Sequence, residues 1–137
     1  MAFERPKIVV VVRDDLLAWQ ELNVTAFLVS GLTAAAPDLV GEPYVDADGQ
    51  SYLPMLGHPV SVLSGDAATL TAARARAAGR GMAVSIYTAQ LFATGNDADN
   101  RAEVAAVGSD DLDLVGVGVV GERNAVDRVV KGARLHG

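Results

Sequence analysis

Residues 8–12 are continuously apolar and β-branched, Ile-Val-Val-Val-Val. A run without alternation suits a strand covered on both faces, most simply a central strand of an α/β sheet. Pro6 stands just before it, where a missing N–H costs nothing. Arg13-Asp14-Asp15 ends the run. Either aspartate can cap a following helix, accepting its orphan N–H groups and complementing its dipole. That helix is expected over residues 17–35. Its apolar positions, Trp19, Leu22, Val24, Phe27, Leu28, Val29 and Leu32, go most of the way round and predict a largely buried element. Pro37 helps to end it.

Residues 38–56 have a different character. Tyr44-Val45 and Ser51-Tyr52-Leu53 flank Asp46-Ala47-Asp48-Gly49-Gln50. The Asp48-Gly49 pair predicts a short surface hairpin with a type I′ turn, in which both central residues need positive φ. A second core strand follows at 59–63, then a helix over 67–78 capped by Ser64 or Asp66. Its Arg74, Arg76 and Arg80 lie toward the C-terminal end, where cations suit the dipole. Gly79-Arg80-Gly81 predicts a left-handed glycine stop. A third strand is expected at 82–87, one helical turn within 88–94, a polar loop at 95–100 and a short helix at 101–107. A fourth strand at 112–120, a last helix at 124–130 and a short tail complete the order. Strands alternating with helices make this a single α/β domain over residues 1–137.

Composition narrows the reading. The 137 residues are half apolar, with one Trp, three Tyr and three Phe. The core must therefore be built from Val, Leu and Ala. Net charge is −6, which argues against nucleic-acid binding, where phosphate neutralisation needs clustered Lys and Arg. Cysteine is absent, and with it disulfides and thiolate metal sites. Residues 8–12 are too short for a signal-peptide core, and no apolar run approaches a membrane span of roughly 20 residues. The expectation is a cytoplasmic protein with no membrane or nucleic-acid partner, no cofactor and no bound metal.

Candidate chemistry is sparse. Gln20, Asn23, Phe27, Ser30 and Thr33 recur at helical spacing and form a polar-plus-Phe stripe on the first helix. The stripe suits a cleft or an oligomer seam; its simpler reading is side chains satisfying loop backbone and helix carbonyls. Thr88 and Gln90 follow a core strand, where α/β folds place ligand groups. Asp14-Asp15 would serve acid–base work or Mg²⁺, though a cap with a solvated neighbour needs less. Asp46 and Asp48, and Asn96, Asp97 and Asp99, lack the full spacing of a calcium loop. Gly116-x-Gly118-x-x-Gly121 matches a dinucleotide fingerprint, but no second βαβ half follows. Those glycines are read instead as positions where a helix packs close on the last strand. His58 and His136 are the only imidazoles, and neither has a nucleophile partner at a recognisable turn.

Asp15-Leu16, Trp19-Gln20-x-Leu22-Asn23-Val24-x-Ala26-Phe27-Leu28, and Leu112-Asp113-Leu114-Val115-Gly116 with Arg123-Asn124-Ala125-Val126 resemble an uncharacterised domain-of-unknown-function family, number two thousand. The arrangement of strands and caps resembles the wider peptidyl-tRNA hydrolase II-like superfamily. The resemblance implies a three-layer α/β/α fold around a four-stranded mixed sheet, often oligomeric. The hydrolase's own residues do not match. Its first-helix lysine falls opposite Leu22 or Asn23, its Gln-Cys-x-His near Ala26 to Ser30, and its aspartate opposite Thr88. The resulting expectation is a non-hydrolytic member that takes a small molecule or a protein partner in a groove beside Gln20, Asn23, Thr88 and Gln90, and that self-associates. The alternatives are a hydrolase on a small or peptidyl-tRNA-like substrate, using Asp15 or Thr88 with water, and an oligomeric interaction module.

Overall fold

Val9, Val10, Val11 and Val12 have no exposed surface, as their unalternating pattern requires. They lie in β1 (Pro6–Arg13). The computed structural model describes residues 3–137. After β1 come α1 (Ala18–Ala35), a hairpin of β2 (Tyr44–Val45) and β3 (Ser51–Tyr52), β4 (Val60–Gly65), α2 (Ala67–Gly79) and β5 (Val84–Thr88). A 3-10 turn (Ala89–Ala93) leads to α3 (Asp97–Ala105), β6 (Leu114–Glu122), α4 (Arg123–Val129) and β7 (Arg134–Leu135). The main sheet runs β5-β6-β1-β4-β7. β1 is parallel to β4 and antiparallel to β6, with Val10 opposite both Val62 and Gly118.

The sheet has five strands where the sequence predicted four. The fifth, β7, is only two residues long, placing Leu135 against Leu63 and Arg134 against Ser64. The His136 N–H extends the pairing to the Val62 carbonyl at 3.1 Å. Two residues carry no period, so the segment read as a tail.

The helices cover the two faces. Val9 and Val11 pack with Leu70 and Ala77 of α2 and Val126 and Val129 of α4. Val10 and Val12 pack with Val24 and Leu28 of α1 on the opposite face. This is the alternation a strand imposes on its side chains. α1 was expected to be largely buried, and it is not. Only Val24, Leu28 and Leu32 are buried, one stripe at four-residue spacing. Trp19, Leu22 and Phe27 are 57, 73 and 53 % exposed, because a single helix meets this face and its flanks look past the sheet.

That stripe sits unusually close to β6. A Cβ built on Gly116 would lie 2.3 Å from Val24 Cγ1, and one on Gly118 would lie 2.4 Å from Ser85 Oγ and 3.2 Å from Leu32 Cδ1. All three glycines of the apparent dinucleotide fingerprint lie inside β6. Gly116 and Gly118 are close-packing positions, as the chain context suggested, a Cβ on Gly121 would meet Val126 and the end of Met82 at 3.3 Å or more, and none forms a phosphate-binding turn. Ser85 fixes the approach further, donating its hydroxyl to the Leu28 carbonyl of α1 at 2.9 Å.

Local signals resolve differently from their sequence reading at three places. Neither Asp14 nor Asp15 caps α1. Asp14 pairs with Arg134 at 3.1 Å and Asp15 with Arg13 at 2.7 Å, and Gln20 Oε1 instead accepts the Leu17 N–H at 2.9 Å. In the hairpin only Gly49 has positive φ, at 81°. The Gly49 N–H returns to the Asp46 carbonyl and the Asp46 N–H to the Gln50 carbonyl, so the loop is one residue longer than a type I′ turn and is closed by a left-handed glycine. The polar stretch 95–100 is the start of α3. Asn96 caps it by accepting from the Asp99 N–H at 2.8 Å, and Asp97 and Asp99 occupy the acidic first turn. For α2, Asp66 is the cap, accepting from Thr69 N–H at 2.9 Å, and Gly81, at φ 66°, supplies the expected left-handed stop.

Two glycine substitutions should therefore act in opposite directions. Gly116→Ala drives a methyl into buried Val24 and should cost about 1–3 kcal/mol, lowering Tm by about 3–10 °C. Gly79 ends α2 with nothing within 4 Å of its missing Cβ, so Gly79→Ala should stabilise by up to about 1 kcal/mol. Thermal unfolding of both variants checks this; equal Tm values would remove the close-packing reading.

Candidate functional site

The site is set by the last turn of an alternation. In β5, Val84 and Ile86 pack toward α2 and α4, so Ser85 and Tyr87 face α1. Tyr87 ends the regular pairing: the β5–β6 register shifts between it and Thr88. Its hydroxyl accepts a hydrogen bond from Asn23 Nδ2 of α1 at 3.1 Å. Trp19 and Phe27 stand four residues to either side of Asn23, one turn before and one after. Phe27 meets Tyr87 edge-on, with centroids 5.7 Å apart. Phe92, on the 3-10 turn after β5, tilts against Tyr87 at 5.1 Å and receives Trp19 edge-on at 5.7 Å.

These rings form one wall of an open cleft of about 450 Å³, within the usual range for a small-molecule site. The opposite wall comes from the link into α3, with Thr94, Gly95, Asn96, Asp97 and Asn100. Much of that polar wall is held internally. The Thr94 hydroxyl bonds the Leu91 carbonyl at 3.0 Å and the Asn100 side-chain oxygen. Asn96 is engaged as the α3 cap, and Asp97 is paired with Arg101 one turn on. The aromatic wall presents the Asn23–Tyr87 pair and the Trp19 indole N–H as its side-chain polar groups.

Of the four ligand-binding candidates named from the sequence, the structure brings Asn23 to this cleft. Gln20 is spent on the Leu17 N–H. Thr88 is buried at the end of β5, 2 % exposed, and Gln90 is exposed on the 3-10 turn; neither lines the cleft. Ser30 and Thr33 bond back to the Phe27, Val29 and Ser30 carbonyls of their own helix. The stripe of α1 that lines the cleft is Trp19-Asn23-Phe27, which shares Asn23 and Phe27 with the one read in the sequence and has Trp19 in place of Gln20. Its signal was present: aromatic residues one turn either side of an asparagine, in a chain with seven aromatic residues in all. The partners on the 92–100 segment carried none, since their polar residues read as a loop.

Below the cleft, Arg13 at the end of β1 joins two acidic loops. It reaches Asp15 before α1 at 2.7 Å and Asp113 before β6 at 2.9 Å. The Asp113 carbonyl in turn accepts the Ala89 N–H at 2.9 Å, tying down the turn that carries Phe92. The hydrogen bond from Arg13 holds the Asp15 carboxyl below the ordinary aspartate range, and the bond to Asp15 raises the Arg13 guanidinium. No group of three or more His, Cys, Asp or Glu side chains suited to a metal occurs among the described residues, and no described helix is long and apolar enough to cross a membrane.

The model of a family described as a protein of unknown function (DUF2000) matches residues 6–137. The solved structure of a protein of unknown function from Agrobacterium tumefaciens strain C58 is similar throughout. It shares 41 % identity and a TM-score of 0.94, over 96 % of this chain and 98 % of that one. No curated protein matches the chain.

The Asp15 shift fixes a pH dependence. A carboxyl with a depressed folded-state pKa contributes stability in full above its unfolded value of about 3.9, and loses it as pH falls through the lower folded value. Asp15→Asn should therefore lower Tm slightly at pH 7, and the gap between the two proteins should close as pH falls below the ordinary aspartate range. Calorimetry across that range checks the sign; a gap that widens on acidification would contradict it.

Proposed function

The chain belongs to the DUF2000 family, and from that premise we propose that it binds a small uncharged ligand in the aromatic cleft beside Asn23 and Tyr87, without hydrolysing it. One observation carries the reading. Trp19, Phe27, Tyr87 and Phe92 line this cleft, four of the seven aromatic residues in the chain. Core packing accounts for Tyr87, the single buried ring among the described residues, and for part of Phe92, which packs against the same cluster, but not for Trp19 and Phe27, which stand exposed. Rings exposed around a concavity with a few polar groups are the usual make-up of a ligand site. Charge favours an uncharged ligand. Among the described residues no Lys or Arg lines the cleft, and the one carboxylate that does, Asp97, is engaged by Arg101. A phosphate or carboxylate ligand would meet no cation there.

In this reading the relation to peptidyl-tRNA hydrolase II is one of fold. By the resemblance in sequence, that enzyme's first-helix lysine would fall opposite Leu22 or Asn23, its Gln-Cys-x-His stretch near Ala26 to Ser30 and its aspartate opposite Thr88, and none of these matches. A second reading, self-association, draws on a different surface: Leu22 and Leu53 are 73 and 85 % exposed. Size-exclusion chromatography with light scattering tests it. A dimer at micromolar concentration that dissociates in Leu22→Asp is expected, and a wild-type monomer removes it.

Trp19 is the only tryptophan, so its emission reports on the cleft directly. Titration with a panel of neutral sugars, nucleobases and aromatic amides should shift that emission for at least one class. Asn23→Ala should weaken the response about tenfold, because it leaves the Tyr87 hydroxyl without its partner, while the circular dichroism spectrum is unchanged. If no class moves either Trp19 emission or Tm, the binding reading is lost.

A further inference from the structure

We infer that the cleft recognises a planar amide edge, the adjacent N–H and C=O of a lactam or a primary carboxamide carried on an aromatic ring. The inference rests on the binding reading above and narrows it to a ligand class. Its basis is the bond between Asn23 Nδ2 and Tyr87 Oη at 3.1 Å. With Asn23 as donor, the pair has an unused acceptor, Asn23 Oδ1, beside an unused donor, the Tyr87 O–H. Turning the carboxamide over makes Tyr87 the donor, and leaves Asn23 Nδ2 as donor beside Tyr87 Oη as acceptor. In either state an unused donor and an unused acceptor stand on the two neighbouring side chains, with one further Asn23 Nδ2–H free beside them. Among the described residues neither side chain has another hydrogen-bond partner.

An amide edge is the complement of such a pair, since it offers one acceptor and one donor on neighbouring atoms. The pair also adapts to an amide presented in either sense, because the Asn23 flip exchanges the two roles. The surroundings set the rest of the class. Phe27 and Phe92 flank Tyr87 with interplanar angles of 64° and 50°. A flat ring laid against one of them meets the edge of another, an arrangement aromatic groups favour. The absence of a lining cation favours the free base, nucleoside or neutral amide over its phosphorylated form. A sugar would bring several hydroxyls, each both donor and acceptor, to a wall whose polar face is mostly committed to Leu91, Asp99 and Arg101.

The test uses the intact chain and matched pairs of probes: hypoxanthine against 1-methylhypoxanthine, nicotinamide against methyl nicotinate, and inosine against its 5′-phosphate. Ligand-observed NMR gives the affinities, with Trp19 emission as the second readout. Hypoxanthine or nicotinamide should bind, and the partner lacking the N–H should be at least about tenfold weaker, because a site built to pair a donor is left unpaired. The double variant Asn23→Leu/Tyr87→Phe, which removes both acceptors, should abolish that discrimination, whereas Phe27→Ala should weaken both members of a pair alike. Methylated and parent probes binding equally well would overturn the amide-edge inference while leaving cleft binding intact. Neutral sugars binding in place of the amides would do the same. Silence from every probe and sugar would overturn both.

Discussion

The contact on which the rest depends is the seating of α1 on β6. Two residues without side chains, Gly116 and Gly118, let the Val24-Leu28-Leu32 stripe press onto the strand backbone. Gly31 matches them from the helix side, since a Cβ there would stand 3.3 Å from Ser85 Cβ. At this separation the Ser85 hydroxyl reaches the Leu28 carbonyl, an otherwise ordinary helix group. The same seating brings Asn23 into reach of Tyr87 on the neighbouring strand. A helix one methyl further from the sheet would keep the fold in outline and lose both bonds. The apolar face, the helix position and the cleft are therefore one geometric fact. It is set by small residues whose contribution lies in what they omit.

The two halves of the chain differ in how openly their residues declare their roles. The Val-rich run of β1, the Asp66 cap, the Ala-rich α2 and the Gly81 stop each follow from a local rule, and each stands where that rule puts it. The glycines of β6 were legible too, because no second βαβ half follows the apparent fingerprint. What escaped was non-local. β7 exists because Leu63 offers an edge to two residues far along the chain. Arg134, 120 residues further on, took Asp14 from the helix end, a pairing with no spacing that sequence could display, and Asp15 turned back to Arg13 two residues before it. α3 was half legible: its acidic, asparagine-led first turn obeys capping rules, but the same residues are the commonest loop formers.

The site shows the same division. Asn23 was visible as a polar residue on an apolar helix. Its partner Tyr87 was not, because the period that turns Tyr87 toward α1 depends on which face β5 gives to which layer. The wall formed by residues 92–100 depends on α3, and so could not be drawn before α3 was known. Polar residues on the first helix separate by what they touch. Gln20, Ser30 and Thr33 close local backbone needs, as short polar side chains on helices commonly do. Asn23 alone of the stripe's polar residues crosses to another element.

The order of strands has a consequence for the life of the chain before it is folded. Val10 pairs with Gly118, about 110 positions later. A ribosome adding roughly 5–20 residues per second needs on the order of 5–20 s to deliver that partner. Throughout that interval the most apolar strand of the molecule has at best one neighbour, β4, and an uncovered edge. Such an edge is a template for pairing between nascent chains. The growing polypeptide therefore carries its greatest aggregation hazard first and receives its protection last, which makes it a natural client for chaperones that hold emerging chains.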